Sequence, residues 1–110
     1  MTESEFLEAS EALMDAVEDA VEDAVDAAGI DCDCERAGNV LTIEADSGDQ
    51  VVVNRHTPTQ QMWLACRRGG RHYEMKGGAW VDTRSGVDFW QGLEEALSFA
   101  CGSAVALAHD

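Results

Sequence analysis

Small and apolar residues recur at steps of three and four from the start of the chain. Phe6, Ser10, Leu13, Val17, Val21, Ala24 and Ala28 fall on one face of a helix with 3.6 residues per turn. Thr2 followed by Glu5 has the form of a capping box, and Gly29 stands where a left-handed cap would end the helix. The spacing therefore predicts a long amphipathic helix over residues 2–28. From Ile30 to about Thr83 the period changes to two, and turn-forming residues interrupt it at Ala37-Gly38-Asn39, Ser47-Gly48-Asp49, Thr57-Pro58-Thr59, Arg68-Gly69-Gly70, Gly77-Gly78 and Arg84-Ser85-Gly86. These signals predict six strands near 30–36, 39–45, 50–55, 60–67, 71–76 and 79–83.

Alternation assigns the strand faces. Ile30, Cys32 and Cys34 point inward with Leu41, Ile43, Val51, Val53, Met62, Leu64, Tyr73 and Met75, while Asp31, Asp33 and Glu35 point away. A second helix follows Gly86, burying Phe89, Trp90, Leu93, Ala96, Leu97 and Ala100 and stopping at Gly102. The small apolar residues after it are expected to pack as a tail against the helices. Each helix has one stripe to bury and the meander has one apolar face. The economical arrangement is an α+β two-layer sandwich, a single domain over residues 1–110 with both helices on the same side of an antiparallel sheet.

Charge changes this picture at one place. The chain has 22 acidic and 7 basic residues, a formal charge of −15, and thirteen acids precede the first base, Arg36. Hydrophobic residues make up 45%, enough for a folded core, so the acidity does not mark a disordered chain. A surface this negative repels phosphate backbones and anionic lipid and attracts cations and basic protein patches, so neither nucleic acid nor membrane is an expected partner. The start lacks a basic and then apolar leader, and the four cysteines show neither a CxxC pair nor a dense disulfide pattern; a cytoplasmic location and free thiols are expected.

On the first helix Glu8, Glu11, Asp15, Glu18, Glu22 and Asp26 follow one another at three or four residues, and Asp19 and Asp23 widen the row. Like charges at this spacing destabilise a helix by about 0.2–0.5 kcal/mol per pair, and acids in the last turn oppose the helix dipole. The helix carries no Lys or Arg to compensate, a local conflict of the kind found at functional sites. Carboxylates at helical spacing offer hard oxygen ligands for iron or other divalent cations in exposed, weak sites, and Asp31 and Asp33 extend the surface past the turn. No Glu-x-x-His pair accompanies them, and His56, His72 and His109 lie elsewhere. Cys32-x-Cys34 reads as small core residues, and Cys66 and Cys101 have no visible partner.

The sheet contributes a second candidate surface. Gln61, Trp63 and Ala65 alternate with inward Met62 and Leu64 and so reach the helix-free face, where Asn54 also emerges. A large aromatic there is either a contact site or a ring shielded by long neighbours. Arg67, Arg68, Arg71 and Lys76 gather four of the seven bases around one hairpin, which suits oriented docking. Trp80 and Trp90 read as core or edge packing. Neither a phosphate-cradling loop nor a nucleophile motif is present, so covalent catalysis is not expected.

Several ordered segments carry a family resemblance: Ser4-Glu5-Phe6, Ile30-Asp31-Cys32, Val40-Leu41-Thr42-Ile43, Gly77-Gly78-Ala79-Trp80, Arg84-Ser85-Gly86 with Phe89-Trp90, and above all Asn54-Arg55-x-x-Pro58-x-x-Gln61-x-Trp63-Leu64-Ala65. The chain resembles the bacterial frataxins over about residues 4 to 100, differing in its Ala-rich first helix, in Cys34 and in the His72–Met75 strand. The resemblance implies two helices on one face of a five- to six-stranded sheet and a part in iron–sulfur cluster assembly. It further implies weak binding of Fe2+ or Fe3+ through Glu18, Asp19, Glu22, Asp23, Asp26, Asp31 and Asp33. Docking on the cysteine desulfurase and its scaffold protein is implied through Glu11, Asp15, Glu18, Asp19, Glu22, Asn54, Gln61 and Trp63. The expectation is a non-enzymatic regulator or iron donor, mostly monomeric. The alternatives are a ferroxidase that stores iron in oligomers and, third, an acidic decoy for a basic protein.

Overall fold

Thr2 Oγ1 accepts a hydrogen bond from the Glu5 amide at 3.1 Å, and Glu5 Oε1 accepts one from the Thr2 amide at 2.8 Å. This reciprocal pair opens helix α1 (Glu3–Ala28), and Gly29, with φ at 68°, closes it. The buried stripe of α1 is Phe6, Ser10, Leu13, Met14, Val17, Ala20, Val21 and Ala24. It is wider than the spacing predicts by Met14 and Ala20, and Ala28, expected on it, is exposed in the last turn. The structure, a computed structural model, describes residues 1–107; His109 lies outside them.

Six strands follow: β1 (Cys32–Ala37), β2 (Val40–Ala45), β3 (Gln50–His56), β4 (Gln61–Cys66), β5 (Gly69–Lys76) and β6 (Ala79–Asp82). They pair antiparallel in the order β1-β2-β3-β4-β5-β6, so each strand lies beside its neighbour in sequence. Gly77 and Gly78 make the β5–β6 turn with φ at 59° and 84°, the left-handed pair that suits the twist of a two-residue hairpin. The other glycine pair behaves differently from the sequence reading. Gly69 and Gly70 pair with Cys66 and Ala65, so the turn is Arg67-Arg68 and β5 starts two residues earlier than predicted.

Leu41, Ile43, Val51, Val53, Met62, Leu64 and Tyr73 point to one face, are buried, and form the core with both helices. On edge strand β1 the inward Cys32 and Cys34 are half-buried. Phe6 of α1 meets Trp80 edge to face at 6.0 Å. The second helix, α2 (Phe89–Cys101), starts where Asp88 Oδ2 accepts a hydrogen bond from the Trp90 amide at 3.0 Å, and it ends at Gly102 with φ at 71°. Its inner face is Phe89, Gly92, Leu93, Ala96, Leu97 and Ala100. Trp90, predicted on that face, is half-buried beside Phe89, and Gly92 takes the inner place because the Tyr73 hydroxyl fills the space a side chain would need. After Gly102 the chain returns along α2: the Val105 amide donates to Ser98 Oγ at 2.8 Å and the Leu107 amide to Glu94 Oε2 at 2.7 Å, with both side chains buried. The tail therefore packs as expected as far as Leu107.

Candidate metal and partner surface

The compensation missing from the sequence of α1 comes from the sheet. Arg36, inward by the same alternation as Cys32 and Cys34, donates through Nη2 to Glu11 Oε1 at 2.5 Å and through Nη1 to Asp15 Oδ1 at 2.6 Å and Glu18 Oε1 at 2.8 Å. Arg55 on β3 adds a 3.1 Å contact to Glu11 Oε2 and is itself held by Asn39 Oδ1 at 2.9 and 3.2 Å. The arginine side chains are 20% and 14% exposed, but Glu11 and Asp15 are 52% and 61% exposed, so these pairs lie at the surface and are partly screened by water and salt. Alternation alone places Arg36 on the helix side; which carboxylates it meets depends on how α1 lies across the sheet.

Beyond Glu18 the row changes character. Asp19, Glu22, Asp23 and Asp26 are exposed, and among the described residues none of them forms an ion pair or hydrogen bond through its side chain. Around the edge of β1, on the sheet's other face, Asp31 and Asp33 join Glu44 and Asp46 to line a hollow of about 220 Å³. Asp33 stands opposite Glu44 in the β1–β2 register, and the Asp46 amide donates to the Asp31 carbonyl at 3.0 Å. Glu44 and Asp46 are absent from the sequence reading, because cross-strand partners appear only once the register is known. The predicted single ridge is thus three groups: a clamped one (Glu11, Asp15, Glu18), an open helical one, and the hollow. Among the described residues no three Asp, Glu, His or Cys side chains are gathered to hold a metal ion. The open carboxylates fit a hard cation bound loosely and largely hydrated.

Asn54, Gln61 and Trp63 are brought together on the helix-free face, with Asn54, Trp63 and His72 side by side on adjacent strands. The Trp63 ring is stacked between His56, at 3.9 Å and 13°, and His72, at 4.3 Å and 12°. Its Nε1 donates to Gln61 Oε1 at 2.9 Å, and Thr59 Oγ1 links that oxygen, at 3.2 Å, to His56 Nδ1, at 2.8 Å. The two histidines are further members of this surface that the sequence reading leaves aside. Three of the four bases expected at one hairpin are near it: Arg67 pairs with Asp49 at 3.2 Å, Arg68 lies over the Phe99 ring, and Arg71 reaches Glu95 at 4.0 Å. Lys76 is instead at the far end of β5, paired with Glu74 at 3.1 Å.

Cys101, for which the sequence suggests no partner, meets Cys32: their sulfurs are 3.5 Å apart. Burial pushes the Cys32 thiol up to about 12, helped by the hydrogen bond and charge of Cys101, by Cys34 and by Asp31. Burial likewise lifts Cys34 to about 11, with Glu18, Glu22 and Asp33 acting in the same direction. Both are neutral thiols at pH 7.

The chain matches the model of the Frataxin-like domain over residues 1–103. It is 54% identical over 108 residues to the iron-sulfur cluster assembly protein CyaY of Neisseria meningitidis, covering 98% of this chain and 97% of that one. The protein of the same name from Chromobacterium violaceum is 47% identical, with 98% and 99% covered. Among solved structures, frataxin from Psychromonas ingrahamii superposes with a TM-score of 0.87 at 31% identity over 99% of this chain and 100% of that one. Trimeric frataxin from Saccharomyces cerevisiae complexed with ferrous gives 0.72 at 26% identity over 86% of each. Two helices on a six-stranded meander, a family match from the first residue to Ser103 and a relative more than half identical along its length lead to one assignment: the chain belongs to the frataxin family.

Proposed function

We propose that the protein binds Fe2+ or Fe3+ weakly at its open carboxylates and acts in iron–sulfur cluster assembly, regulating a cysteine desulfurase or handing iron to the complex it forms with a scaffold protein. It catalyses no reaction of its own in this reading and works in the cytoplasm beside that machinery. The observation that carries the proposal is the division of the acidic row. Asp19, Glu22, Asp23 and Asp26 are left without internal partners next to three acids that are clamped. Charge left unpaired at this density attracts metal cations and steers a basic partner surface, with a range of about 8 Å at physiological ionic strength. The names of the relatives, and the ferrous complex of the yeast protein, support iron and the pathway.

Charge reversal of the four open positions in one variant (Asp19→Lys, Glu22→Lys, Asp23→Lys, Asp26→Lys) tests the reading by anaerobic iron titration calorimetry and by desulfurase kinetics. Roughly tenfold losses in both are expected, shrinking with added salt for the partner; unchanged iron affinity together with unchanged desulfurase response would sink it. The sheet surface of Asn54, Gln61 and Trp63, with His56 and His72, is the second contact. Trp63→Ala is expected to weaken docking on the assembly complex by roughly tenfold while the fold is kept. Full-strength docking, measured by calorimetric titration of the variant into the assembly complex, would make the stack a packing device.

The trimeric yeast relative supports a second reading, a ferroxidase that stores iron in oligomers. Oxygen consumption with stoichiometric Fe2+, and the particle size that follows, separate the two: a donor or regulator stays small and does not speed oxidation beyond free iron.

A further inference from the structure

Cys32 and Cys101 are 69 positions apart in sequence, yet their sulfurs are 3.5 Å apart where the end of α2 comes down on the start of β1. We propose that this pair is an oxidative modification site: exchange with a low-molecular-weight disulfide of the glutathione type converts it to an intramolecular disulfide that ties α2 to β1. An S–S bond of about 2.05 Å requires the sulfurs to close by about 1.5 Å. Both residues are placed to allow it. Cys32 is the first residue of an edge strand, preceded by the irregular segment 29–31, and Cys101 is the last residue of α2, followed by Gly102. Any adjustment therefore falls on the last pair of the β1–β2 ladder, Cys32 opposite Ala45, and on the end of the helix. Both side chains are half-buried, so a small disulfide can reach them, and Ser47 Oγ, donating to the Ala100 carbonyl at 3.0 Å, already holds the end of α2 close to the sheet. Cys34 points inward farther along β1, beside Glu18 and Glu22, and Cys66 closes β4. Among the described residues, only the Cys32–Cys101 pair has its sulfurs in contact.

The chemistry balances in two exchanges. One protein thiol, as its thiolate, attacks a sulfur of oxidised glutathione; that S–S bond breaks, one glutathione thiolate leaves and a mixed disulfide forms. The second protein thiolate then attacks the protein sulfur of the mixed disulfide and expels the second glutathione. Two protein thiols are oxidised, one glutathione disulfide is reduced to two thiols, and the protons lost by the cysteines go to the leaving thiolates. Because burial keeps the Cys32 thiol protonated and both sulfurs are half-buried, the exchange is slow, and it registers sustained oxidising conditions rather than a brief pulse. Cys32 is flanked by Asp31 and Asp33, so the bond fixes the segment that lines the acidic hollow. The disulfide closes a loop spanning most of the chain, the case in which a cross-link restricts the unfolded state most.

The full-length chain, equilibrated in a glutathione redox buffer, acid-quenched, alkylated and analysed by mass spectrometry, tests this. The expected product has lost two hydrogens, retains two alkylatable thiols, at Cys34 and Cys66, and yields one linked pair of peptides containing Cys32 and Cys101. Its Tm rises by roughly 10 °C or more, and dithiothreitol reverses the rise. Cys101→Ser and, separately, Cys32→Ser are expected to give only a stable glutathione adduct on the remaining partner. Pairing of Cys32 with Cys34, persistent glutathione adducts on the unmodified sequence, or four free thiols in a buffer that oxidises a reference dithiol would each overturn the proposal.

Discussion

Gly92 and Tyr73 meet where the inner face of α2 crosses β5. The Tyr73 ring is fully buried, 5.1 Å from Phe89 and edge to face with it. Its hydroxyl has no hydrogen-bond partner among the described residues, although Arg71 is near enough to offset part of the burial that pushes its pKa up to about 12. A Cβ on Gly92 would come within 2.1 Å of that oxygen. Gly92→Ala gains about 1 kcal/mol of helix propensity but overpacks a ring that cannot move outward, so a net loss of about 1–2 kcal/mol is expected. Tyr73→Phe deletes an unpaired buried hydroxyl and should be neutral or stabilising by about 1 kcal/mol. The double variant should recover most of the Gly92→Ala loss. Urea unfolding of all four proteins checks this as a cycle, and simple additivity would show that the hydroxyl is not what the methyl strikes. This contact was illegible in the sequence: Gly92 interrupts the helical stripe, and the stripe alone passes the inner position to Trp90.

At the scale of elements, α1 and β1 depend on each other through Arg36. The helix places Glu11, Asp15 and Glu18 within one charge-assisted network, and the strand delivers a side chain, Arg36, that reaches all three. Arg36→Ala is expected to cost about 1–3 kcal/mol, less at high salt, because three carboxylates a turn apart are left to repel one another. The same variant should bind divalent cations more tightly, since it adds Asp15 and Glu18 to the open group while Arg55 still holds Glu11. Thermal unfolding across a salt series and metal titration read the two effects; a metal affinity no greater than that of the unaltered protein would show that the clamped acids face away from the cation. The order of the elements, their faces and the acidic row were legible because each depends on periods of two or 3.6 within a short window. The split of that row was not. It depends on which way α1 crosses the sheet, and Arg36 is 18 to 25 positions from its partners. The hollow was hidden for the same reason, since Glu44 and Asp46 join Asp33 and Asp31 only through the hairpin register.

For the molecule as a whole, the half-buried thiols and the buried phenol make stability depend on alkaline pH. Burial raises Cys32, Cys34 and Tyr73 in the folded chain, so above about pH 9 the unfolded chain releases thiol protons that the folded one keeps. Their contribution is complete below that pH and declines as pH rises through 9 towards 12. Urea midpoints should therefore fall between pH 8 and 10.5, and less steeply in Cys34→Ser; a midpoint flat across that range would mean the thiols ionise as freely in the folded state. Asp82 works in the opposite direction. Its burial disfavours the charge, but the Arg84 and Ser85 amides, donating to Oδ1 at 2.7 and 3.2 Å, hold its carboxyl below the ordinary range, and that contribution is lost only in acid.

The sheet order has a consequence for how the chain finds its fold. Since every strand lies beside the next one in sequence, each pairing closes only a short loop, and the entropy lost at each step is small. Any of the five hairpins can form first and grow from either side, which favours rapid folding for an open sheet of this size. The helices come from opposite ends of the chain and are covered by the same sheet face. Together they bring the two ends of the chain onto one core, and Cys32 against Cys101 is one contact of that long range.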